Sequence, residues 1–226
     1  MLTSSLRPRP ALPYVQLEQG RDFWIIDNLL EHPDAVRARI LARQDWQLGY
    51  PHAPESWPGK RVHQAFTPEE MHAIESRVAG LTGIQKLWVQ STAGGARLDH
   101  NVAQLVGAQE GGLRPHTDSR ALCRYAAVLY LSPGAPPDGG TSFFRLRYPD
   151  GSLSGNLCPA PHKNLVDALQ VRSLPLQAWQ EDSRQMNVYN RMIIYKANLV
   201  HSATGYFGSE DSDKRLTAVF FWMTED

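Results

Sequence analysis

The second half of the chain is a series of short apolar or alternating runs, and this pattern most restricts the folds available to it. From about residue 85 the runs read QKLWVQS, NVAQLVGA, RYAAVLYL, TSFFRLR, RMIIYKANLV and RLTAVFFWM, with turn sequences such as PPDGG and GSEDSDK between several of them. Short runs bounded by Gly, Pro and Asp are typical of strands in sandwiches and barrels. The sequence therefore predicts an all-β body over 85–226.

Residues 14–84 have a different pattern, which predicts a mainly helical support. After a short strand, DFWIIDNLL, the sequence predicts helices over 32–46 and 67–81. Pro33 suits a first helical position, and Thr67 can accept the hydrogen bond that begins the second helix. Helices followed by a run of strands predict a mainly β fold, a sandwich or barrel flanked by helices.

The length of 226 residues and the absence of repeats predict a single domain over 1–226. Residues 1–13 are rich in Pro and Ser and are expected to form a flexible arm. Residues 148–185 are irregular, with one short helix expected, and long loops of this kind often act as lids. We therefore expect a lid-like insertion in the β body.

Charge and hydropathy argue against several classes of partner. Lys and Arg total 23, as do Asp and Glu, so the net charge is +0 and no basic field favours a nucleic acid. No run of eighteen apolar residues predicts a membrane span, and the first residues lack the apolar stretch of a signal peptide. Two cysteines in a chain of this length fit a reducing compartment. We expect a cytoplasmic protein.

One short motif, His116-Thr117-Asp118, suggests metal chemistry. It stands between a Gly-rich approach, GGLRP, and the apolar run RYAAVLYL. A neutral imidazole nitrogen and a carboxylate oxygen one residue apart can bind the same cation, and a third ligand would complete a facial triad. The alternative is two polar residues on an exposed loop.

His201 is the candidate third ligand, because it is expected to end the apolar strand in RMIIYKANLVHSA. The remaining histidines lie on predicted helices or loops: His32, His52, His63, His72, His100 and His162.

Arg215 and Thr217 open the last predicted strand, RLTAVFFWM, and their spacing of two places them on one face of it. A guanidinium beside a hydroxyl is suited to a buried carboxylate. The alternative for Arg215 is a solvated residue following the turn SEDSDK.

Taken together, these motifs resemble the iron(II)- and 2-oxoglutarate-dependent dioxygenases, most closely the prolyl-4-hydroxylase-like branch. PHTD corresponds to the first ligand motif and RYAAVLYLS to the second core strand. DGGTSFF corresponds to the Gly-Gly-x-x-x-Phe hairpin, and KANLVHSA and KRLTAVFFW correspond to the closing strands. The resemblance covers about 85–223 and implies a double-stranded β-helix, or jelly roll.

The resemblance also implies the cofactors and their ligands. His116, Asp118 and His201 would hold Fe(II), 2-oxoglutarate would be the cosubstrate, and O2 would be the oxidant. The far carboxylate of 2-oxoglutarate would pair with Arg215 and Thr217.

The cosubstrate tyrosine of the family is less simply placed. The first core strand here, NVAQLVGA, has no Tyr, and only Gln104 could take that role. Tyr130 is the better candidate, with Tyr125 as the alternative. Halogenases of the family lack the carboxylate that corresponds to Asp118. Its presence in this sequence therefore favours hydroxylation.

Arg114, Arg120 and Arg124 flank the metal motif and could bind an acidic group of the substrate, although each is equally well explained as a rim charge. The expected substrate is a small molecule, amino acid or peptide, oxidised with release of succinate and CO2. Two alternatives remain: a cupin-like metalloenzyme that does not use 2-oxoglutarate, and a non-catalytic jelly-roll binding module. The sequence predicts no oligomeric state.

Overall fold

The computed structural model describes residues 11–91 and 100–225. The strands are β1 (Phe23–Ile26), β2 (Gln47–Leu48), β3 (Lys60–His63), β4 (Val102–Val106), β5 (Tyr125–Tyr130), β6 (Gly140–Leu146), β7 (Trp179–Met186), β8 (Met192–Lys196), β9 (His201–Thr204) and β10 (Arg215–Trp222). The helices are α1 (Pro33–Leu41), α2 (Pro68–Thr82) and α3 (Leu165–Leu169), with one 3₁₀ turn at Leu176–Ala178.

Two antiparallel sheets face each other. The larger sheet has seven strands in the order β1-β8-β5-β10-β4-β3-β2, and the smaller has three in the order β7-β6-β9. Phe143 of the smaller sheet packs between them against Tyr130, Ile193 and Tyr195 of the larger one. The molecule is mainly β with flanking helices, as the sequence predicts.

Strand β10 shows how the sequence divides the larger sheet into two faces. Leu216, Ala218, Phe220 and Trp222 belong to the core that the helices cover, and Phe220 and Trp222 stack with their centroids 5.6 Å apart. The intervening residues, beginning with Arg215, point to the opposite face. The alternation therefore aims Arg215 between the sheets.

Helices α1 and α2 cover the outer face of the larger sheet through Ile40, Ile74 and Val78, all nearly inaccessible to solvent. Thr67 begins α2 as predicted: its hydroxyl accepts the Glu70 N–H at 3.3 Å, and the Glu70 carboxylate accepts the Thr67 N–H at 2.9 Å. This reciprocal pair satisfies two N–H groups that a helix start otherwise leaves open.

The N-terminal region differs from the expected arm and helical support. Residues 1–10 of the predicted arm lie outside the described residues. Leu12 is buried, and its carbonyl accepts the N–H of Gly155 at 2.9 Å, so the described end of the arm is packed. Besides the predicted strand β1, two unpredicted strands, β2 and β3, lie within 14–84, and the three extend the larger sheet at its two edges.

Two other segments differ from their predictions. The run QKLWVQS belongs to neither sheet: Trp88 forms an isolated bridge with Met223, outside the strands. The segment 148–185 contains the expected short helix α3, but it also supplies β7, which pairs with β6 along its whole length. Because the side chains of β7 are mostly exposed, its apolar pattern is too weak to predict a strand.

The run RMIIYKANLVHSA, predicted as one strand, is divided between two strands. Strand β8 ends at Lys196, a turn follows, and β9 begins at His201 on the other sheet. The expectation that His201 ends the first of these strands was therefore wrong: it starts the second. The chain changes sheets here because the Leu199 N–H bonds back to the Lys196 carbonyl at 3.1 Å, which closes a turn.

Within the described ranges, none of the helices combines the length and apolar character that crossing a membrane requires.

Candidate metal centre

Backbone pairing brings the H-x-D motif against the start of β9. The His116 N–H donates to the His201 carbonyl at 3.0 Å, and the His201 N–H donates to the His116 carbonyl at 2.8 Å. Two residues on, the Asp118 N–H donates to the Ala197 carbonyl at 3.0 Å. These bonds hold the H-x-D motif beside His201 at the mouth of the two sheets, although the two are far apart in the sequence.

Backbone carbonyls orient both imidazole rings. Nδ1 of His116 lies 2.8 Å from the Arg114 carbonyl, and Nδ1 of His201 lies 2.9 Å from the Leu199 carbonyl. A carbonyl only accepts hydrogen bonds, so each Nδ1 carries the proton and each Nε2 keeps its lone pair. Such outer hydrogen bonds are typical of histidines that bind metals.

The three candidate ligands converge around Asp118. Its Oδ1 lies 3.9 Å from Nε2 of His116, and its Oδ2 lies 3.6 Å from Nε2 of His201. One ligand atom from each of the three residues lies within 4.8 Å of the others. Ligand atoms at about 2.0–2.2 Å from a shared metal are at most about 4.4 Å apart, and both of these distances are shorter.

Burial shifts the pKa values of two of the candidate ligands, His201 and Asp118. Burial lowers the pKa of His201 well below its usual value, with a further contribution from His116, so this imidazole is neutral. Burial also raises the pKa of Asp118 to about 6, against the opposing effect of His116. Asp118 Oδ2 has no hydrogen-bond partner among the described residues, and a cation there would satisfy it.

A second polar cluster lies deeper between the sheets, around Arg215 and Thr217. Arg215 is 3% exposed and its Nη2 donates to the Gly140 carbonyl at 3.2 Å. Its Nε and the Thr217 hydroxyl are buried and have no partner within the described part of the chain. A buried guanidinium beside a free hydroxyl forms a binding site for a carboxylate.

Gly140 explains part of the DGGTSFF motif that the sequence analysis identified. Its φ is 143°, a conformation that L side chains rarely adopt, and a Cβ there would lie 2.2 Å from the Gln185 carbonyl oxygen. Glycine at this position therefore lets β7 approach β6 and keeps the Gly140 carbonyl beside Arg215.

The structure separates the two candidate tyrosines. Tyr130 faces the space between the sheets, and its hydroxyl donates to Thr141 Oγ1 at 2.9 Å. Tyr125 belongs to the helix-covered core, where its ring packs edge-on against Trp24, so it faces away from the metal centre. Gln104 lines the main cavity and donates to the Pro58 carbonyl at 3.2 Å.

Three tyrosines that the sequence analysis did not select line this cavity: Tyr50, Tyr195 and Tyr206. The ring of Tyr206 lies 5.6 Å from the Arg215 guanidinium, and the ring of Tyr130 lies 5.8 Å from it. The ring of Tyr195 lies 4.5 Å from that of His201. Tyr195 shares the inward face of β8 with Ile193, which the strand alternation could have indicated. Tyr206 follows β9 in irregular chain, where no periodicity marks it.

The three arginines around the metal motif lie in different places. Arg114 lines the main cavity and donates to the Ser56 carbonyl at 3.0 Å. Arg120 and Arg124 line a separate cavity of about 160 Å³ beside Tyr125. The structure therefore brings one of the three, Arg114, to the same cavity as the candidate ligands.

The main cavity joins all these groups. Its volume is about 940 Å³, and it extends from the metal motif to Arg215 and Thr217. The loop between β2 and β3 covers part of it with Tyr50, Glu55 and Trp57. A cavity of this size accommodates a cosubstrate together with a second small molecule.

Comparison with known families gives one match, a family of unknown function (DUF6445), over residues 8–172. The chain belongs to this family. The matched span includes His116 and Asp118, whereas His201 and Arg215 lie beyond it. A comparison with curated proteins gave no match.

The fold of this chain is similar to that of several solved proteins whose sequence identity to it is low. The non-heme alpha-ketoglutarate-dependent carbocyclase SnoK of nogalamycin biosynthesis is 14% identical, with a TM-score of 0.52 over 92% of this chain and 81% of its own. HygX from Streptomyces hygroscopicus, solved with nickel, 2-oxoglutarate and hygromycin B, is 14% identical. Its TM-score is 0.50 over 91% of this chain and 84% of its own. A Pseudomonas putida prolyl-4-hydroxylase is 15% identical, with a TM-score of 0.45 over 91% of this chain and 94% of its own.

The fold of this family member is therefore the jelly roll of these 2-oxoglutarate-dependent oxygenases, and the predicted fold class is confirmed. The buried polar atoms of its cavity fit an iron and a dicarboxylate. Asp118 Oδ2 is available at one end, and Arg215 Nε and the Thr217 hydroxyl are available at the other.

Proposed function

We propose that this chain is an Fe(II)- and 2-oxoglutarate-dependent oxygenase that hydroxylates a small molecule, amino acid or peptide. One observation supports this most strongly: a single cavity has a His-Asp-His cluster at one end and a buried Arg-Thr pair at the other. Two histidines and one carboxylate are the ligand set of non-heme Fe(II) oxygenases.

In this proposal His116, Asp118 and His201 hold the iron through two Nε2 atoms and the Asp118 carboxylate. Their combined charge of −1 leaves a divalent metal with a net charge of +1. Bound Fe(II) with 2-oxoglutarate supplies the activation of O2 that oxidises a C–H bond, with release of succinate and CO2. The Asp118 carboxylate occupies the position that halogenases of this superfamily leave open, so hydroxylation is the favoured outcome.

Arg215 and Thr217 hold the far carboxylate of 2-oxoglutarate at the dry end of the cavity. Burial strengthens this pairing, because a guanidinium and a carboxylate attract each other more strongly at low dielectric than in water. The rings of Tyr206 and Tyr130 both lie close to the guanidinium, and Tyr206 and Gln104 form part of the cavity wall.

The substrate class and location rest on further observations. The cavity leaves room beside 2-oxoglutarate for a second small molecule or a peptide side chain, and Arg114 on its wall is available for an acidic group. The sequence motifs favour the prolyl-4-hydroxylase-like branch. Cys123 and Cys158 are buried free thiols, which favours a reducing compartment, so we place the protein in the cytoplasm.

Anaerobic titration with Fe(II) and then 2-oxoglutarate tests the proposal. The weak visible charge-transfer band of an iron-bound 2-oxoacid should appear with the wild-type protein. Thr217→Val should weaken 2-oxoglutarate binding about tenfold or more, since a hydrogen bond to a charged group is lost, and Arg215→Gln should weaken it further. Binding of Mn(II), followed by electron paramagnetic resonance, should be unchanged in both variants.

A wild-type protein without the band would overturn the assignment of 2-oxoglutarate and favour the cupin-like alternative, provided that it still binds Mn(II). A protein that binds neither would favour the non-catalytic module. Equal loss of metal and 2-oxoglutarate binding in the Arg215 and Thr217 variants would mean that these residues are structural.

A further inference from the structure

A second cavity adjoins the metal motif on the side of α3. We call it the α3 groove: it lies between residues 113–117 and the segment 164–179, and its volume is about 320 Å³. Its walls are mostly apolar and include Leu113, Val166, Val171, Leu174, Leu176 and Trp179. None of these residues was selected by the sequence analysis as part of a site.

The α3 groove adjoins the main cavity at the metal motif. Arg114 and His116 line both spaces. Thr117, which lies between two candidate ligands, accepts the Leu165 N–H at 2.9 Å and so fixes the first turn of α3 against the motif. The groove therefore lies directly beside one of the candidate metal ligands, His116.

Three apolar side chains of the groove are exposed to a degree unusual for their type. Leu176 is 51% exposed, Val166 48% and Val171 40%. Leu165 and Leu169, on the opposite side of the same helix, are buried in the core of the smaller sheet. Contiguous apolar surface at a cavity mouth is characteristic of ligand-binding grooves.

The charge of the groove is entirely positive. Arg114 and Arg172 line it, and no carboxylate of the described residues does. The one acidic residue of α3, Asp167, does not line the groove, and its carboxylate accepts the Lys163 N–H at 2.9 Å. Arg172 has no hydrogen bond or ion pair with any residue of 11–91 or 100–225. An apolar groove with cationic residues at its rim complements an apolar anion.

We propose that the primary substrate is an amphipathic carboxylic acid whose apolar body lies in the α3 groove. Its carboxylate pairs with Arg172 and Arg114, and its far end passes His116 into the main cavity for oxidation. This inference rests on the proposed oxygenase function and adds the class of substrate that the site accepts.

Calorimetry with decanoate below its micellar concentration tests the inference, using protein loaded with Mn(II) and 2-oxoglutarate. Decanoate should bind more tightly than butyrate by about fourfold for each additional methylene that the groove buries. Decanamide, which is neutral, should bind two- to fivefold more weakly than decanoate. Leu176→Glu should weaken decanoate binding at least tenfold, and Arg172→Gln two- to fivefold.

Matched substitutions outside the groove provide the controls. Leu153→Glu changes another apolar side chain that is 43% exposed, and Arg147→Gln changes another exposed arginine, so both should bind decanoate as wild type does. Equal affinity for butyrate and decanoate, or equal effects of Leu153→Glu and Leu176→Glu, would overturn the groove assignment.

Two further outcomes separate this inference from the proposed function. If Arg215→Gln abolishes decanoate binding in metal-free protein, the acid occupies the cosubstrate site and the groove assignment is wrong. If decanoate binds the groove but 2-oxoglutarate binds nowhere, the groove remains a binding site for acids and the oxygenase function fails. If 2-oxoglutarate binds and decanoate does not, only the substrate class is overturned.

Discussion

Two tyrosine rings lie close to the Arg215 guanidinium, Tyr206 at 5.6 Å and Tyr130 at 5.8 Å, and their hydroxyls differ in what they can do. The Tyr130 hydroxyl already donates to Thr141, and burial raises its pKa, so it stays protonated. Tyr206 lines the cavity, and its ring packs so closely on Gly111 that a Cβ there would lie 2.8 Å from it. Tyr206 is therefore the better placed of the two to contact a carboxylate held by Arg215.

Substitution of these tyrosines by phenylalanine should separate their roles. Tyr206→Phe should weaken 2-oxoglutarate binding about two- to tenfold with little change in stability, because it removes a hydroxyl from the cavity wall. Tyr130→Phe should instead lower the free energy of unfolding by about 1 kcal/mol, since Thr141 loses its donor. Calorimetric titration and urea unfolding measure the two effects. The reverse pattern would assign the cosubstrate contact to Tyr130.

At the scale of elements, Glu110 connects three segments that surround the cavity. Its carboxylate lies 2.8 Å from His52 Nε2 in the loop between β2 and β3, and accepts from Lys214 Nζ at 2.8 Å and from the Gly107 N–H at 2.7 Å. Lys214 directly precedes Arg215. Burial alone would raise the pKa of Glu110, but these hydrogen bonds outweigh it and lower the pKa to about 2.

The lowered pKa of Glu110 predicts a pH-dependent contribution to stability. In the unfolded chain the group titrates near 4.5, so its stabilisation is complete above that pH and disappears as pH falls toward 2. The difference in unfolding free energy between wild type and Glu110→Gln should be about 2–3 kcal/mol at pH 7 and should approach zero near pH 2. Urea unfolding across this range measures it.

Glu31→Gln, at a side chain that is 89% exposed, is the control for Glu110 and should differ little from wild type at any pH. A constant difference between wild type and Glu110→Gln from pH 7 to pH 2 would show that the carboxylate is not stabilised by its three partners.

At the scale of the whole molecule, three asparagines join distant segments by the same pair of hydrogen bonds. Each side-chain amide accepts the N–H and donates to the carbonyl of one remote residue, as a strand neighbour would. The distances are all 2.8–2.9 Å, and the pairs are Asn101 with Phe66, Asn156 with Val15, and Asn190 with Leu30. These amides fasten the N-terminal segments to the jelly roll.

Removing one of these amides should destabilise the whole protein. Asn156→Ala should lower the free energy of unfolding by about 1–3 kcal/mol, since two partly buried backbone groups of Val15 lose their partners. It should also make the segment from residue 11 to 17 the first site of limited proteolysis. Asn101→Ala, which breaks the equivalent contact to Phe66, should cost a similar free energy and leave that segment protected. Identical digestion of the two variants would refute this role.

Several features of the fold are local enough to be predicted from the sequence. The alternation in RLTAVFFWM places Arg215 and Thr217 on one face because side chains alternate along any strand. The capping box of α2 needs only Thr67 and Glu70, three residues apart. The mainly β class follows from the number and spacing of short apolar runs, whereas the jelly roll was implied by the resemblance of the motifs to the dioxygenases.

The sequence by itself determined the H-x-D motif, the faces of β10 and the mainly β class, because these depend on the pattern of neighbours along the chain, and the family resemblance added support for His201 as the third candidate ligand. Only the tertiary structure decided that His201 begins a strand of the second sheet, that Arg120 and Arg124 line a separate cavity, and that Tyr206 faces Arg215. The α3 groove also became visible only in the tertiary structure. These features depend on the register between strands far apart in sequence and on the path of irregular segments, where packing and remote hydrogen bonds override local pattern.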